Sequence, residues 1–128
     1  MKLLMVSVGE ARYAVQADAV TQILDPAQEA DFHLGEAEAF FRGERLPLID
    51  LHAAAGERRG SSPVYLLLEG ARGRAFVPVD GAEAIREVPA TAIAPLPPFI
   101  FPRPGRAFRG VFADGHAPCL LLDLDGIL

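Results

Sequence analysis

The stretch FFRGERLPLIDL (residues 40–51) places an Arg-Gly pair between two phenylalanines and an apolar run. A tight turn followed by an apolar run is typical of a β-hairpin, and Gly43 suits such a turn because glycine adopts positive φ freely. Arg42 has no comparable reason to be there, since Asn or Asp would fit the turn better. The stretch therefore predicts a turn before a strand, and Arg42 is either a solvated turn residue or part of a binding surface.

A second turn of this kind precedes the last strand of the chain. Asp114-Gly115 is a strong hairpin signal, and it occupies nearly the place that Arg42-Gly43 has in the first half. At an offset of 73 positions, LIDL (48–51) aligns with LLDL (121–124), and each of the two segments follows a proline. The chain thus repeats a turn and a closing strand.

The beginnings of the two halves also align. At an offset of 62 positions, residues 3–23 match residues 65–85, with identities that include Arg12 with Arg74, Val15 with Val77, Asp18 with Asp80 and Ile23 with Ile85. Each half predicts a strand, a Gly-containing turn, a second strand and an Asp able to cap a short helix. We expect short helices after Asp18 and Asp50, and as an alternative after Asp80.

Two strands of the second half are continuous apolar runs, YLLLE (65–69) and CLLLDL (119–124). Such runs are typical of strands that are covered on both faces, as in small barrels packed against a neighbouring element. We therefore expect two β-barrel-like halves, about 1–56 and 63–128, within one domain. The residues expected in the core of the second half are Leu66, Leu68, Phe76, Val77, Leu120 and Leu122.

Two segments are predicted to connect these elements. GERRGSSP (56–63) has the composition of a surface loop. Residues 89–108 contain six prolines, which excludes an α-helix and a central strand. The PLPP at 95–98 fits a polyproline ligand pattern, but the neighbouring Phe99, Ile100 and Phe101 favour an ordered crossover.

Composition limits the classes of function. The chain has 128 residues, 51% hydrophobic and 23% charged, which is typical of one globular domain. Its net charge of −5 and its scattered arginines make nucleic acid an unfavourable partner. The apolar N-terminal segment is too short for a signal peptide or a membrane span, and the single cysteine, Cys119, excludes an intramolecular disulfide. We expect a cytoplasmic protein without membrane insertion.

No arrangement of reactive side chains indicates an enzyme. The three histidines, His33, His52 and His116, lie in unrelated segments without metal-ligand spacing. The sequence contains no nucleophile elbow, no P-loop and no dinucleotide fingerprint, and GARGRA (70–75) reads as a hairpin turn. Asp123 and Asp125 stand at a strand end, where capping of a final turn is the ordinary use. We expect no catalysis, no metal and no cofactor.

Taken together, these segments resemble the CheW family of chemotaxis coupling proteins over nearly the whole chain. The Arg-Gly turn before LPLIDL is the most specific match. YAVQADAVTQIL (13–24) resembles the early segment of the family, FVPVDGAEAIREVPATAIAPLPP (76–98) resembles its second-half core, and DGHAPCLLLDLDGIL (114–128) resembles its end.

The resemblance implies a mainly β fold of two small SH3-like five-stranded barrels with short helices. It also implies a non-enzymatic adaptor that couples chemoreceptor cytoplasmic tips to the regulatory domain of a CheA-type histidine kinase, which is itself CheW-like. The groove between the barrels and the barrel ends would be the contact surfaces. The residues expected to bind partners are Arg42, Gly43, Gln22, Val20, Val79 and Asp80.

The chain departs from the family pattern at two places. The segment before the Arg-Gly turn, GEAEAFFRG (35–43), is polar and several residues short of the usual strand. The acidic residue that the family places opposite the arginine corresponds here to Gln22, which can form a hydrogen bond with Arg42 but not an ion pair. Both departures concern the receptor-facing side. The alternative is a divergent small β-barrel module that binds another regulatory protein or peptide.

Overall fold

The computed structural model describes residues 1–51, 64–96, 108–115 and 117–128. These residues form eleven β-strands: β1 (Lys2–Val8), β2 (Ala11–Gln16), β3 (Val20–Leu24), β4 (Phe32–Leu34), β5 (Glu38–Phe41), β6 (Glu44–Pro47), β7 (Val64–Gly70), β8 (Gly73–Val79), β9 (Gly81–Glu87), β10 (Phe108–Asp114) and β11 (Ala117–Leu122). Two 3₁₀ helices (Ala17–Ala19 and Ala90–Ala92) and one short α-helix, α1 (Leu124–Ile127), complete the described elements. The mainly β prediction is confirmed.

The strands form three sheets. The first sheet has the order β10-β11-β2-β1-β9, the second β3-β7-β8 and the third β4-β5-β6. Neighbouring strands are antiparallel except β11 and β2, which pair in parallel at Leu120–Tyr13 and Leu121–Ala14. These are open sheets, so the two closed five-stranded barrels are not confirmed.

The two sequence halves share the first and second sheets. In each half the first two strands form a hairpin, β1-β2 or β7-β8, but the third strand pairs with the hairpin of the other half. Strand β9 thus lies beside β1, and β3 lies beside β7. The boundary at 56–63 falls outside the described residues, and the division into subdomains stays a prediction.

This exchange of strands follows the sequence repeat residue by residue. Leu4 lies opposite Ile85, and Leu66 lies opposite Ile23. Val6 lies opposite Ala82, and their equivalents in the repeat, Leu68 and Val20, also lie opposite each other. Each of the two strand pairs has a register shift next to this residue pair. The shared order of elements is therefore confirmed for these three strands of each half.

The buried side chains form three clusters that the sheets separate. One lies between the first and second sheets and includes Leu4, Val15, Leu66 and Val77. A second lies between the second and third sheets and includes Leu24, Phe32, Phe41, Tyr65 and Phe76. The third lies on the other face of the first sheet and includes Leu3, Met5, Phe112, Cys119 and Leu121.

The continuous apolar run YLLLE belongs to a strand that is covered on both faces, as predicted. In β7, Leu66 and Leu68 face the first sheet while Tyr65 and Leu67 face the third, so both faces of the strand are buried.

The expected core residues of the second half are distributed differently from the prediction. Leu66, Leu68, Val77 and Leu122 are buried beside residues of β1 and β2, and Leu120 is half-buried against the same cluster. Phe76 belongs to the other cluster, with residues of β3, β4 and β5. The prediction of a core made by the second half alone was wrong. Because the third strands are exchanged, these clusters contain residues of both halves.

The predictions for the helices have mixed outcomes. Asp18 lies inside the 3₁₀ helix Ala17–Ala19 and makes no capping bond, since the N-cap position is Gln16. No helix follows Asp80, because β9 begins at once. After Asp50, Leu51 is helical and the following residues lie outside the described range. Asp123 takes the N-cap position of α1 but forms no side-chain cap.

The predicted hairpin turns are confirmed. Gly70 pairs with Gly73 in the β7-β8 hairpin, and Asp114 pairs with Ala117 across the turn at Gly115, whose φ is 67°.

The described part of the proline-rich connection contains the 3₁₀ helix Ala90–Ala92 and a bridge between Ala94 and Val111. Residues 97–107, with the second half of the PLPP pattern, lie outside the described residues. None of the helices in the described segments has the length and apolar character needed to cross a membrane.

Candidate functional site

The Arg-Gly pair forms the two-residue turn between β5 and β6, where Phe41 pairs with Glu44. Both turn residues have positive φ, 51° at Arg42 and 77° at Gly43. This backbone matches the twist of a two-residue hairpin, and glycine adopts it without penalty. For Arg42 it costs roughly 1 kcal/mol, because the left-handed conformation brings Cβ close to the following carbonyl oxygen.

The Arg42 side chain is exposed and lies over the ring of Phe41, with its guanidinium carbon 4.7 Å from the ring centroid. Among the described residues, no hydrogen bond or ion pair engages the Arg42 side chain. The nearby carboxylate of Glu44 is engaged by Arg74, with two bonds of 2.7 Å. A residue in an unfavourable backbone conformation with an unneutralised charge is a candidate for binding a partner.

An open apolar groove of about 240 Å³ lies beside the edge strands β3 and β9. Ile23 and Ile85 border it and are 48% and 62% exposed. The remaining residues that line it are Leu4, Ala17, Val20, Thr21 and Gln22, so the described lining carries no charged side chain. An exposed apolar surface of this kind is typical of an interaction site.

A bulge in β3 shapes one wall of the groove. Val20 lies opposite Leu68 and Gln22 lies opposite Leu67, so Thr21 is the extra residue. The Thr21 hydroxyl donates to the carbonyl oxygen of Leu67 at 3.1 Å. Bulges redirect side chains, and here four consecutive residues, 20–23, line the groove, which strict alternation would not allow.

Two of the expected partner-binding residues support the fold instead of lining this groove. Val79 is fully buried in the cluster between the first and second sheets and offers no surface. Asp80 is half-buried: its N–H donates to the carbonyl oxygen of Ser7 at 2.8 Å, and its carboxylate accepts from the N–H of Gly9. Asp80 thus ties the start of β9 to the β1-β2 turn.

Gln22 and Arg42 do not form the hydrogen bond that the sequence comparison with the family allowed. Gln22 belongs to the second sheet and Arg42 to a turn of the third sheet, and no hydrogen bond joins them. The expected partner-binding residues therefore belong to two separate features: Val20 and Gln22 line the groove, and Arg42 and Gly43 form the β5-β6 turn.

The sequence reasoning missed Ile23 and Ile85 as surface residues. A signal was present, because the two isoleucines are equivalent in the 62-residue repeat and Ile85 is the single large apolar residue of the polar strand GAEAIRE. Leu34 and Phe40 of the third sheet are also exposed, at 49% and 40%. His33 and Arg45 lie across from Phe40 on the two neighbouring strands and place polar groups on both sides of its ring.

The described residues offer little to reactive chemistry. Cys119 is buried, and burial raises the pKa of its thiol to about 11. His33 is exposed, while His52 and His116 lie outside the described residues. Within the described ranges, no group of three His, Cys, Asp or Glu side chains lies close enough to hold a metal ion.

Comparisons with known proteins agree on the fold. The model of the CheW-like domain family matches residues 2–128. Among solved structures, the chain is similar to the crystal structure of the scaffolding protein TtCheW from Thermoanaerobacter tengcongensis. The TM-score is 0.78 at 20% sequence identity, covering 96% of this chain and 88% of that chain. No curated protein matches the chain.

Proposed function

Because the chain belongs to the CheW-like domain family, we propose that it is a non-enzymatic adaptor in chemosensory signalling. It couples the cytoplasmic tips of chemoreceptors to the regulatory domain of a CheA-type histidine kinase, so that the state of the receptor controls the kinase. Its place is the cytoplasm, at the receptor arrays, and it needs no cofactor.

The observation that carries this proposal is the apolar groove between Ile23 and Ile85. A stable interface needs a dry apolar centre with a few large anchors and a polar rim. The two isoleucines supply the anchors, and Gln22 and Thr21 supply polar groups that carry no net charge. A surface of this kind fits an apolar surface of a receptor tip better than it fits an acidic or basic ligand.

Arg42 adds the electrostatic part of receptor recognition. Its cation has no acidic partner among the described residues, and the Phe41 ring restricts the side chain. A restricted arginine loses less conformational freedom when an acidic group of a partner docks. Such a contact mainly sets orientation and association rate.

For the kinase we propose the exposed face of the third sheet. Phe40 provides apolar area there, and His33 and Arg45, which lie across from it on the two neighbouring strands, provide the polar rim. Two surfaces on different sheets would let one adaptor hold both partners at the same time.

Titration of the purified protein with receptor-tip fragments and with the kinase regulatory domain, both from the same organism, tests the proposal. We expect weak to moderate binding of each, and binding of both together. Association with neither, in solution or in assembled arrays, would reject the adaptor function. Association with only the kinase would show that the receptor contact has been lost, as the departures at Gln22 and residues 35–43 allow.

A further inference from the structure

Four charged side chains lie on the face of the first sheet that is opposite to the groove. Arg12 of β2 forms ion pairs with Asp114 of β10, Nη1 to Oδ2 at 2.9 Å, and with Glu83 of β9. Arg86 of β9 forms a further ion pair with Asp114. We call Arg12, Glu83, Arg86 and Asp114 the edge cluster.

The edge cluster joins the two edges of the first sheet. Strands β9 and β10 are its outermost strands, separated by three others. In a flat sheet they would be on the order of 19 Å apart, at the usual spacing between neighbouring strands. Direct pairing of Arg86 with Asp114 therefore requires a strongly curled sheet, and Arg12 in the middle strand contacts both edges.

Asp114 is the residue on which this arrangement depends most. Its side chain is 7% exposed, whereas Arg12 and Arg86 are 34% and 51% exposed. A carboxylate that is nearly removed from water is stabilised by its two arginines. Removing its charge takes one ion-pair partner from each of them, and Arg12 then keeps only Glu83. The Nε of Arg12 is buried without a hydrogen-bond partner among the described residues, so Arg12 is held through its Nη atoms, which pair with Asp114 and Glu83.

Strand β9 connects the edge cluster to the groove. Ile85 lies opposite Leu4, which faces the groove, whereas Arg86 lies opposite Leu3, which faces the other side of the sheet. Adjacent residues of a strand point to opposite faces, so one short segment carries a groove wall and an ionic anchor. Five of the seven residues of β9 are exposed, so apolar burial holds this strand only weakly.

We propose that Asp114 is a positioning residue for the groove. By pairing with Arg12 and Arg86 on one face of the sheet, it holds the edge strand β9 and thereby sets the place of Ile85 on the other face. Asp114 touches no partner itself. The inference rests on the proposed function only in taking the groove as the receptor surface.

The position of β9 is measured with a fluorescent thiol label on the variant Ile85→Cys. Cys119 is fully buried, so the label attaches selectively at position 85. Adding Asp114→Asn, which keeps the shape and removes the charge, should shift the emission of the label. Arg86→Gln changes the more exposed residue of the same ion pair and should shift the emission of the label in the same direction. This variant provides the test if Asp114→Asn does not fold.

Two controls separate positioning from general loss of stability. Glu44→Gln breaks the ion pair with Arg74, and Phe76→Leu weakens the cluster between the second and third sheets. Neither residue belongs to the edge cluster or to the groove. Both should leave the label unchanged at temperatures where all the variants are folded.

Receptor affinity is then measured without the label. We expect Asp114→Asn to weaken binding by about three- to ten-fold, within the range for residues that act on a site from a distance. Arg86→Gln added to Asp114→Asn should cost little more, because the pair is already broken. If Asp114→Asn changes neither the label nor the affinity, or if Phe76→Leu changes them equally, the proposal is overturned. If the wild type binds no receptor fragment, the receptor part of the proposed function fails while the label still decides the positioning role.

Discussion

Ile23 and Ile85 are 62 positions apart and occupy equivalent places on the exchanged strands β3 and β9. Ile23 lies opposite Leu66 of the second half, and Ile85 lies opposite Leu4 of the first half. Both isoleucines border the same groove. The groove is therefore a product of the repeat, because the exchange brings the same position of each half to one surface.

Replacing Ile85 by Asp should weaken receptor binding by about 2 kcal/mol or more, the usual cost of losing an interface anchor. Stability should change little, since Ile85 is the most exposed large apolar residue among those described. Calorimetric titration and melting curves measure the two effects. Phe40→Asp is the matched control, because Phe40 is also exposed and lies on the third sheet; it should impair kinase binding and spare receptor binding. Equal effects of both variants on the receptor would contradict the assignment of surfaces.

Arg42→Ala should weaken receptor association and leave the fold intact, because the side chain is exposed and lies over one ring. Arg42→Asn should weaken association equally and also raise stability by roughly 0.5–1 kcal/mol, because asparagine accepts positive φ more readily. Melting curves and titrations of the two variants, with Arg42→Lys as a charge-retaining control, give the comparison. If Arg42→Ala unfolds the protein, or if no variant alters binding, Arg42 is an ordinary turn residue.

Gln22→Glu should leave the melting temperature nearly unchanged and alter receptor affinity. Gln22 makes no hydrogen bond with Arg42 in this structure, so the new carboxylate gains no established ion pair and instead places a charge in an uncharged groove. We expect weaker binding with a stronger dependence on ionic strength. Titrations at two salt concentrations test this. Tighter binding, lost again when Arg42→Ala is added, would indicate that the two residues meet in the complex.

Gly110→Ala should destabilise the protein by about 1–3 kcal/mol, the usual range for overpacking. An added Cβ would lie 2.5 Å from Cγ2 of Ile93 and 3.0 Å from the carbonyl oxygen of Ala94. Ala94 pairs with Val111 through hydrogen bonds of 2.8 and 2.9 Å, which hold this segment against β10. Urea unfolding measures the loss. Ile93→Ala in the same chain should recover part of it, and strictly additive losses would argue against this contact as the cause.

Cys119 should make stability fall at alkaline pH. Burial raises the pKa of its thiol from 9.0 to about 11, so the folded protein keeps a proton that the unfolded chain releases. The contribution is fully present below pH 9 and is lost as the pH rises towards about 11. Urea unfolding between pH 8 and 11 should show a steeper decline for the wild type than for Cys119→Ala. Parallel curves would show that the thiol contributes nothing to the pH dependence.

Much of the local structure could be predicted from the sequence because it depends on neighbouring residues. Arg42-Gly43 and Asp114-Gly115 form turns since their backbone preferences are local. The run YLLLE predicted a strand covered on both faces, and both faces of β7 are buried. The 62-residue alignment likewise matched positions that are equivalent in the structure, such as Ile23 and Ile85.

The arrangement of those strands could not be predicted from one sequence. Either hairpin would accept its own third strand or that of the other half, because the two halves present similar apolar patterns. Only the packed structure shows that β3 and β9 are exchanged. The exchange brings Ile23 and Ile85 to the same groove.

Ionic contacts between distant strands were also beyond sequence reasoning. Arg12 and Asp114 are 102 positions apart, and nothing local indicates that they meet. The sequence by itself determined the strands, the turns and the family to which the chain belongs, since these follow from short-range patterns. Tertiary structure alone decided the groove between Ile23 and Ile85 and the edge cluster behind it, because both depend on how far a sheet curls and which edges remain uncovered.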